Sequence, residues 1–305
     1  MEEPGTTRVA IIAGARTPFV KSGTVFRHHS PLALGRHAVS GLLEKSRLDP
    51  RSVDELTYGI VLIDPRLPNL ARDIVFKSGL AASTHALTVS NNCISGIHAI
   101  SAIYDSIANG RAQVGIAGGV ESMSNPAILF NPEASRLFID LAGARSFKQT
   151  LALALKLRPR HFKPALPAIA EPSTGLSMGE HTELIAKEWK IPRVEQDEIA
   201  YLSHKNAQAA TQDGRLTAEI HPLDGIDHDL LIRADTTLEK LAKLSPVFDR
   251  SATGTLTAGN SSPLTDGASA VLLMSEARAR REGREPLAFI KAFEYAALDP
   301  KDGLL

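Results

Sequence analysis

With 305 residues the chain is long enough for one large domain or two ordinary ones, and its 34 basic residues are balanced by 34 acidic ones. Zero net charge offers no electrostatic footprint for nucleic acid, and 43% hydrophobic against 22% charged residues suits a globular protein with a sizeable core. One cysteine excludes an internal disulfide and fits a reducing compartment, here expected to be the cytosol, and no Cys or His/Cys cluster marks a metal site.

Residues 1–5 lack the apolar run of a secretory signal, and no stretch approaches the length of a membrane span. Residues 9–15 read as a buried strand ending in Gly14-Ala15-Arg16-Thr17-Pro18. Ser30-Pro31 reads as a helix start, an N-cap followed by proline at the first helical position. Strands are expected at 56–62, 85–90 and 114–121, and helices at 69–78 and 94–109. This alternation over residues 1–124 is that of an α/β domain with a largely parallel sheet.

Cys93 falls at the turn between the strand at 85–90 and the helix at 94–109, whose Ile94, Ile97, Ile100, Ile103 and Ile107 lie three or four apart. Free N–H groups and the positive dipole end at a helix start favour a thiolate over a thiol. Asn91-Asn92 before it and Ser95-Gly96 after it leave room for a substrate. A lone cysteine also serves as a small buried hydrophobe, and position alone leaves the two readings level.

Beyond residue 124 the pattern changes. Prolines 126, 132, 159, 164, 167 and 172 break the chain, and 125–256 reads as a helical and irregular insertion with helices at 177–190 and 193–213. The α/β pattern returns over 257–283, with a strand at 268–274 and a charged helix at 276–281. A last strand at 287–295 opens what reads as the stub of a further domain, 284–305. Gly118-Gly119 lacks the G-x-G-x-x-G spacing of a dinucleotide loop and is expected to allow close backbone approach. Glu121 is expected to order its loop through hydrogen bonds, and Arg16 to pair with a carboxylate. His98, five residues past Cys93, is expected to face away from it.

Several motifs follow one another in order: Gly14-Ala15-Arg16-Thr17-Pro18-Phe19, Cys93-Ile94-Ser95-Gly96, Gly118 to Ser124, Ser177-Met178-Gly179, and Gly254 to Ser262 with Thr265-Asp266-Gly267-Ala268. Together they resemble the thiolases, the acyl-CoA C-acyltransferases, across essentially the whole chain. Ser261 to Gly267 and the closing Asp299-Pro300-Lys301-Asp302 are most similar to thiolases of the trifunctional β-oxidation type. The resemblance implies an α/β thiolase-like layered fold in which Cys93 attacks a 3-ketoacyl-CoA and carries the acyl group. It implies CoA and acyl-CoA as substrates with no permanently bound cofactor, and Met178 and Ser262 against the pantetheine arm. It also implies a homo-oligomer and, for the trifunctional type, a hydratase/dehydrogenase partner subunit.

The resemblance assigns a Gly-His-Pro histidine and a second cysteine to a second half, and neither occurs in these 305 residues. The expectation is therefore a C-terminally truncated thiolase whose half-site does not turn over alone; the alternative is a non-catalytic module that binds CoA or modulates oligomers. Residues 147–163 mix apolar side chains with Lys148, Lys156, Arg158 and Arg160. They suit either an anionic membrane surface or partner, or a helix with a solvated basic edge.

Overall fold

Strand β1 (Val9–Arg16) alternates between two buried faces, and a two-residue strand β2 (Val20–Lys21) follows it. The computed structural model describes residues 7–165 and 170–302, so Pro167 and the chain ends at 1–6 and 303–305 lie outside the described residues. Helix α1 (Pro31–Ser46) starts where Ser30 and Pro31 place it, with the Ser30 hydroxyl accepting from the Ala33 N–H at 3.2 Å. Strand β3 (Glu55–Gly59), helix α2 (Leu70–Lys77, capped by Asn69), strand β4 (His85–Val89), helix α3 (Ser95–Ala108) and strand β5 (Val114–Ser122) complete the first segment.

Residues 126–169 form a compact unit of their own. Strand β6 (Leu129–Phe130), helix α4 (Pro132–Gly143), helix α5 (Phe147–Ala154) and strand β7 (Pro164–Ala165) build it, with β6 and β7 antiparallel. The rest of the expected 125–256 insertion belongs to the unit that holds the large sheet. Helix α6 (Met178–Glu188), helix α7 (Arg193–Gln212) and the short α8 (Leu238–Ala242) lie there. The physical tie is visible at β1: the Arg16 guanidinium holds Asp229 at 2.8 and 2.9 Å, and the His221 N–H donates to the Arg16 carbonyl at 2.8 Å.

Strand β8 (Thr265–Ser275), helix α9 (Glu276–Arg281) and strand β9 (Ala288–Ile290) close the unit. The strands pair in the order β4-β3-β5-β8-β1-β9, with β2 also on β8. Pairs β4–β3 and β3–β5 are parallel, whereas β8 runs antiparallel to β5 and β1. The sheet is thus parallel on the side that leads to Cys93.

Period-2 alternation divides the core in two. Ile116 and Leu272 point to the face covered by Leu34, Leu42, Ile74 and Val75 of α1 and α2. Ala117 and Leu273 point to the opposite face, under Ala99, Ile103 and Ile107 of α3. The result is an α/β layered fold in which, among the described helices, α3 covers one side.

The strand expected at 287–295 is shorter. Residues 288–290 pair with β1 as the last strand of this same sheet, and 291–299 carry no regular structure. Phe293 and Tyr295 instead lay their rings on Tyr104 and His98 of α3, at 5.1 and 4.3 Å between centroids. Aromatic packing on a helix has replaced further strand pairing.

Candidate active site

Cys93 is exposed in the turn from β4 to α3, two residues ahead of the first helical residue. Asn92 sits in the left-handed region at φ 46°, a conformation asparagine adopts more readily than most residues. The Ser95 hydroxyl fixes the turn, accepting from the Asn91 N–H at 2.8 Å and donating to the Asn92 carbonyl at 2.6 Å. Ile94 at the N-cap has no side-chain acceptor to offer, so the positive end of α3 opens beside the thiol.

The thiol borders a cavity of about 450 Å³. Asn92, Ser95 and Gly96 line it beside Cys93, while Gly59 and Gly119 bring strand backbones up to the helix start. A Cβ at Gly59 would lie 2.7 Å from the Ser95 carbonyl carbon, so glycine is what lets α3 sit this low on the sheet. Gly118 is equally constrained, a Cβ there falling 2.3 Å from the Tyr58 ring and 2.4 Å from the Ser269 carbonyl. Phe19, Val61, Met123, Pro263 and Leu264 supply apolar walls.

Glu121 also lines the cavity, but its oxygens are engaged. The N–H groups of Val61 and Leu62 donate to it at 2.9 and 3.3 Å, holding the loop after β3 as its motif suggested. Burial pushes the Glu121 carboxyl above its ordinary range, repulsion from Asp266 adds to this, and the donated N–H groups oppose it. With its folded value above the unfolded one, Glu121 contributes stability that is fully present below the unfolded value. That contribution is lost as pH rises through the folded value. Wild type should therefore lose stability relative to Glu121→Gln between pH 4.5, the ordinary value, and neutrality. Parallel urea midpoints for the two proteins would show it, and a constant difference across that range would exclude it.

His98 does not line the cavity. Its Nε2 lies 2.9 Å from Asn91 Nδ2, and its ring stacks on Tyr295, so it braces the turn from behind. The structure does not bring Met178 and Ser262 into the cavity lining beside Cys93. Met178 is the first residue of α6 and 38% exposed, and Ser262 is exposed, although its neighbours Pro263 and Leu264 do line the cavity.

Sequence reading missed the carboxylates that shape the segment before Ser262. Buried Glu183 accepts from the N–H and hydroxyl of Thr255, both at 2.8 Å, and from the Leu256 N–H at 2.9 Å. Buried Asp197 accepts from Asn260 Nδ2 at 3.0 Å and from Arg193 at 2.7 Å. Apart from Arg193, four residues before Asp197 on α7, each partner lies more than sixty residues away, so no local signal tied these acids to the segment before Ser262.

Comparison with known proteins agrees with this architecture. Residues 9–277 match the family described as "Thiolase, N-terminal domain". A 3-ketoacyl-CoA thiolase of Shewanella sediminis is 42% identical over 98% of this chain and 70% of its own length. That of Shewanella frigidimarina is 43% identical over 96% of this chain and 68% of its own. Among solved structures, the Bacillus anthracis acetyl-CoA acetyltransferase superposes with a TM-score of 0.84 at 28% identity, covering 98% of this chain and 73% of that one. Human mitochondrial 3-ketoacyl-CoA thiolase in complex with CoA gives 0.78 at 27% identity, over 93% and 68%. The family match spans strands β1 to β8 and the turn that holds Cys93, and the chain belongs to the thiolases, a family of acyltransferases.

Proposed function

We propose that Cys93 takes the acyl group of a 3-ketoacyl-CoA as a thioester, in the thiolytic cleavage that shortens fatty acids by β-oxidation. The observation that carries this is the chain's one thiol, exposed at an uncapped helix start and opening on a glycine-floored cavity. The thiolate attacks the 3-keto carbon, and the bond between C2 and C3 breaks. Its electron pair and the proton given up by the thiol end on C2, giving acetyl-CoA. The Cys93 amide and the open end of α3 offset charge developing on the keto oxygen. CoA then attacks the thioester and leaves with the shortened acyl group. CoA and acyl-CoA are substrates in this scheme. Met178 and Ser262 flank the entry of the pantetheine arm, the hydroxyl as hydrogen-bond partner and the thioether as packing surface.

The 305 residues contain no second cysteine and no Gly-His-Pro, so acylation is the step this chain's own residues support. The second reading is a module that binds CoA or modulates an oligomer without chemistry. Intact-mass analysis after incubation with a 3-ketoacyl-CoA separates the two. An acyl adduct on Cys93 supports the acyl-enzyme, and an unmodified chain supports the module.

The partners proposed are a second copy of the chain and a hydratase/dehydrogenase subunit. Edge strand β4, paired with no described strand other than β3 and with Leu87 exposed, supports self-association. A reducing, cytosolic setting suits an exposed free thiol. In the unit 126–169, Phe147, Leu151 and Leu155 stand four residues apart, exposed by 83, 49 and 79%. With Lys148, Lys156, Arg158 and Arg160 close in sequence, this supports contact with an anionic membrane surface. Changing those four residues to Glu should abolish cosedimentation with anionic liposomes, and absence of wild-type cosedimentation would remove the proposal.

A further inference from the structure

We infer that Tyr295, in the segment after β9, is a positioning residue for Cys93, acting through His98 to hold the turn that presents the thiol. This rests on Cys93 as the reacting group and adds to it two residues, neither of them lining the cavity, that set its reactivity.

Asn91 closes the turn. Its carbonyl accepts from the Ile94 N–H at 3.2 Å and its N–H donates to Ser95 Oγ at 2.8 Å, so Cys93 lies inside a loop that Asn91 shuts. The Asn91 side chain reaches to His98, with Nδ2 2.9 Å from the ring Nε2. An amide nitrogen only donates, so Nε2 accepts and the ring proton sits on Nδ1. The His98 N–H in turn donates to the Ile94 carbonyl at 3.1 Å. His98 thereby ties the first turn of α3 to the residue two positions before the thiol.

One side chain holds His98 in two ways. The Tyr295 ring lies on the imidazole, with 4.3 Å between centroids. Its hydroxyl donates to Ser101 Oγ at 2.6 Å, and the Ser101 hydroxyl donates to the His98 carbonyl at 3.0 Å. Ring and backbone of His98 are thus both fixed from beyond β9. Phe293 also packs on α3, but against Tyr104, nearly two turns along from His98 and without a path to Asn91. The segment therefore touches α3 at two points, and only the Tyr295 point leads to the thiol. What a thiol at a helix start can do depends on how its turn sets it against the open N–H groups, and the Tyr295 contact acts on that setting.

Cys93 is the chain's one cysteine, so alkylation by iodoacetamide reads this turn alone and requires no turnover. The thiolate displaces iodide, a thioether forms, and intact mass follows the adduct. A net hydrogen bond shifts the population of the arrangement it holds by about fivefold, so His98→Leu should slow alkylation by at least about threefold. His98→Gln, whose side-chain carbonyl can accept from Asn91, should recover most of the rate. Tyr295→Leu should slow alkylation as His98→Leu does, and Tyr295→Phe, which keeps the ring, should slow it less. Because Tyr295 acts through His98, the double variant His98→Leu/Tyr295→Leu should be no slower than His98→Leu alone. Phe293→Leu should leave the rate unchanged. Thermal melts confirm folding, and the His98 variants carry the test by themselves where a Tyr295 variant does not fold. Unchanged rates in His98→Leu and Tyr295→Leu, additive slowing in the double variant, or equal slowing by Phe293→Leu would overturn the inference. The expected pattern in a protein that forms no adduct with 3-ketoacyl-CoA would sustain the positioning role while rejecting the acyl-enzyme.

Discussion

Cys93→Ser is expected to reduce acyl-adduct formation by on the order of 10³-fold or more while leaving the melting temperature nearly unchanged, as removal of a covalent nucleophile does. Both halves follow from position. A serine hydroxyl is negligibly ionised near neutral pH, whereas a thiol is partly thiolate and intrinsically more nucleophilic. The side chain is exposed and belongs to neither hydrophobic cluster, so exchanging sulfur for oxygen should shift stability by no more than about 0.5 kcal/mol. Adduct formation is read by intact mass with a 3-ketoacyl-CoA, and stability by thermal denaturation. A serine variant that acylates at the wild-type rate would show that another group attacks. A variant that unfolds would show that Cys93 is a packing residue after all.

The elements that place Cys93 were legible because their signals are local. Ser30-Pro31 announced α1, the isoleucine spacing announced α3, and the end of β4 with the start of α3 bracketed the thiol. What was not legible depends on contacts distant in sequence. Helices α6 and α7 were readable as helices, but their attachment to the sheet-bearing unit depends on pairings such as Glu183 with Thr255 and Asp197 with Asn260. Nothing in residues 177–213 announces those partners. The terminal strand failed for a related reason. Its apolar residues suit strand or coil equally, and rings already available on α3 decided between them. Glycines 59 and 118 carried a weak signal: their strands were recognised, but the neighbours that forbid a Cβ come from other elements.

Gly59→Ala should therefore cost about 1–3 kcal/mol of stability by overpacking, and slow Cys93 chemistry by more than the folded fraction explains. The added Cβ would stand 2.7 Å from the Ser95 carbonyl carbon and 2.8 Å from its Cβ and its oxygen. Two of these three are backbone atoms, which cannot rotate aside as a flexible side-chain tip would. Either β3 or the start of α3 must move. Strand β3 is hydrogen-bonded on both sides, by β4 and by β5, so the helix start is the part that yields. Ser95 carries the Asn91 N–H and the Asn92 carbonyl on its hydroxyl, and displacing it drags the turn that presents Cys93. A shift near 1 Å at a reacting group costs on the order of 10²-fold in rate. Gly119→Ala is the graded control, because its nearest atoms would lie at 3.6 and 3.7 Å, ordinary contact distances. Melting temperatures and acylation rates of the two variants decide the matter. If Gly59→Ala matches Gly119→Ala in both, the close approach of α3 to the sheet does not govern the site.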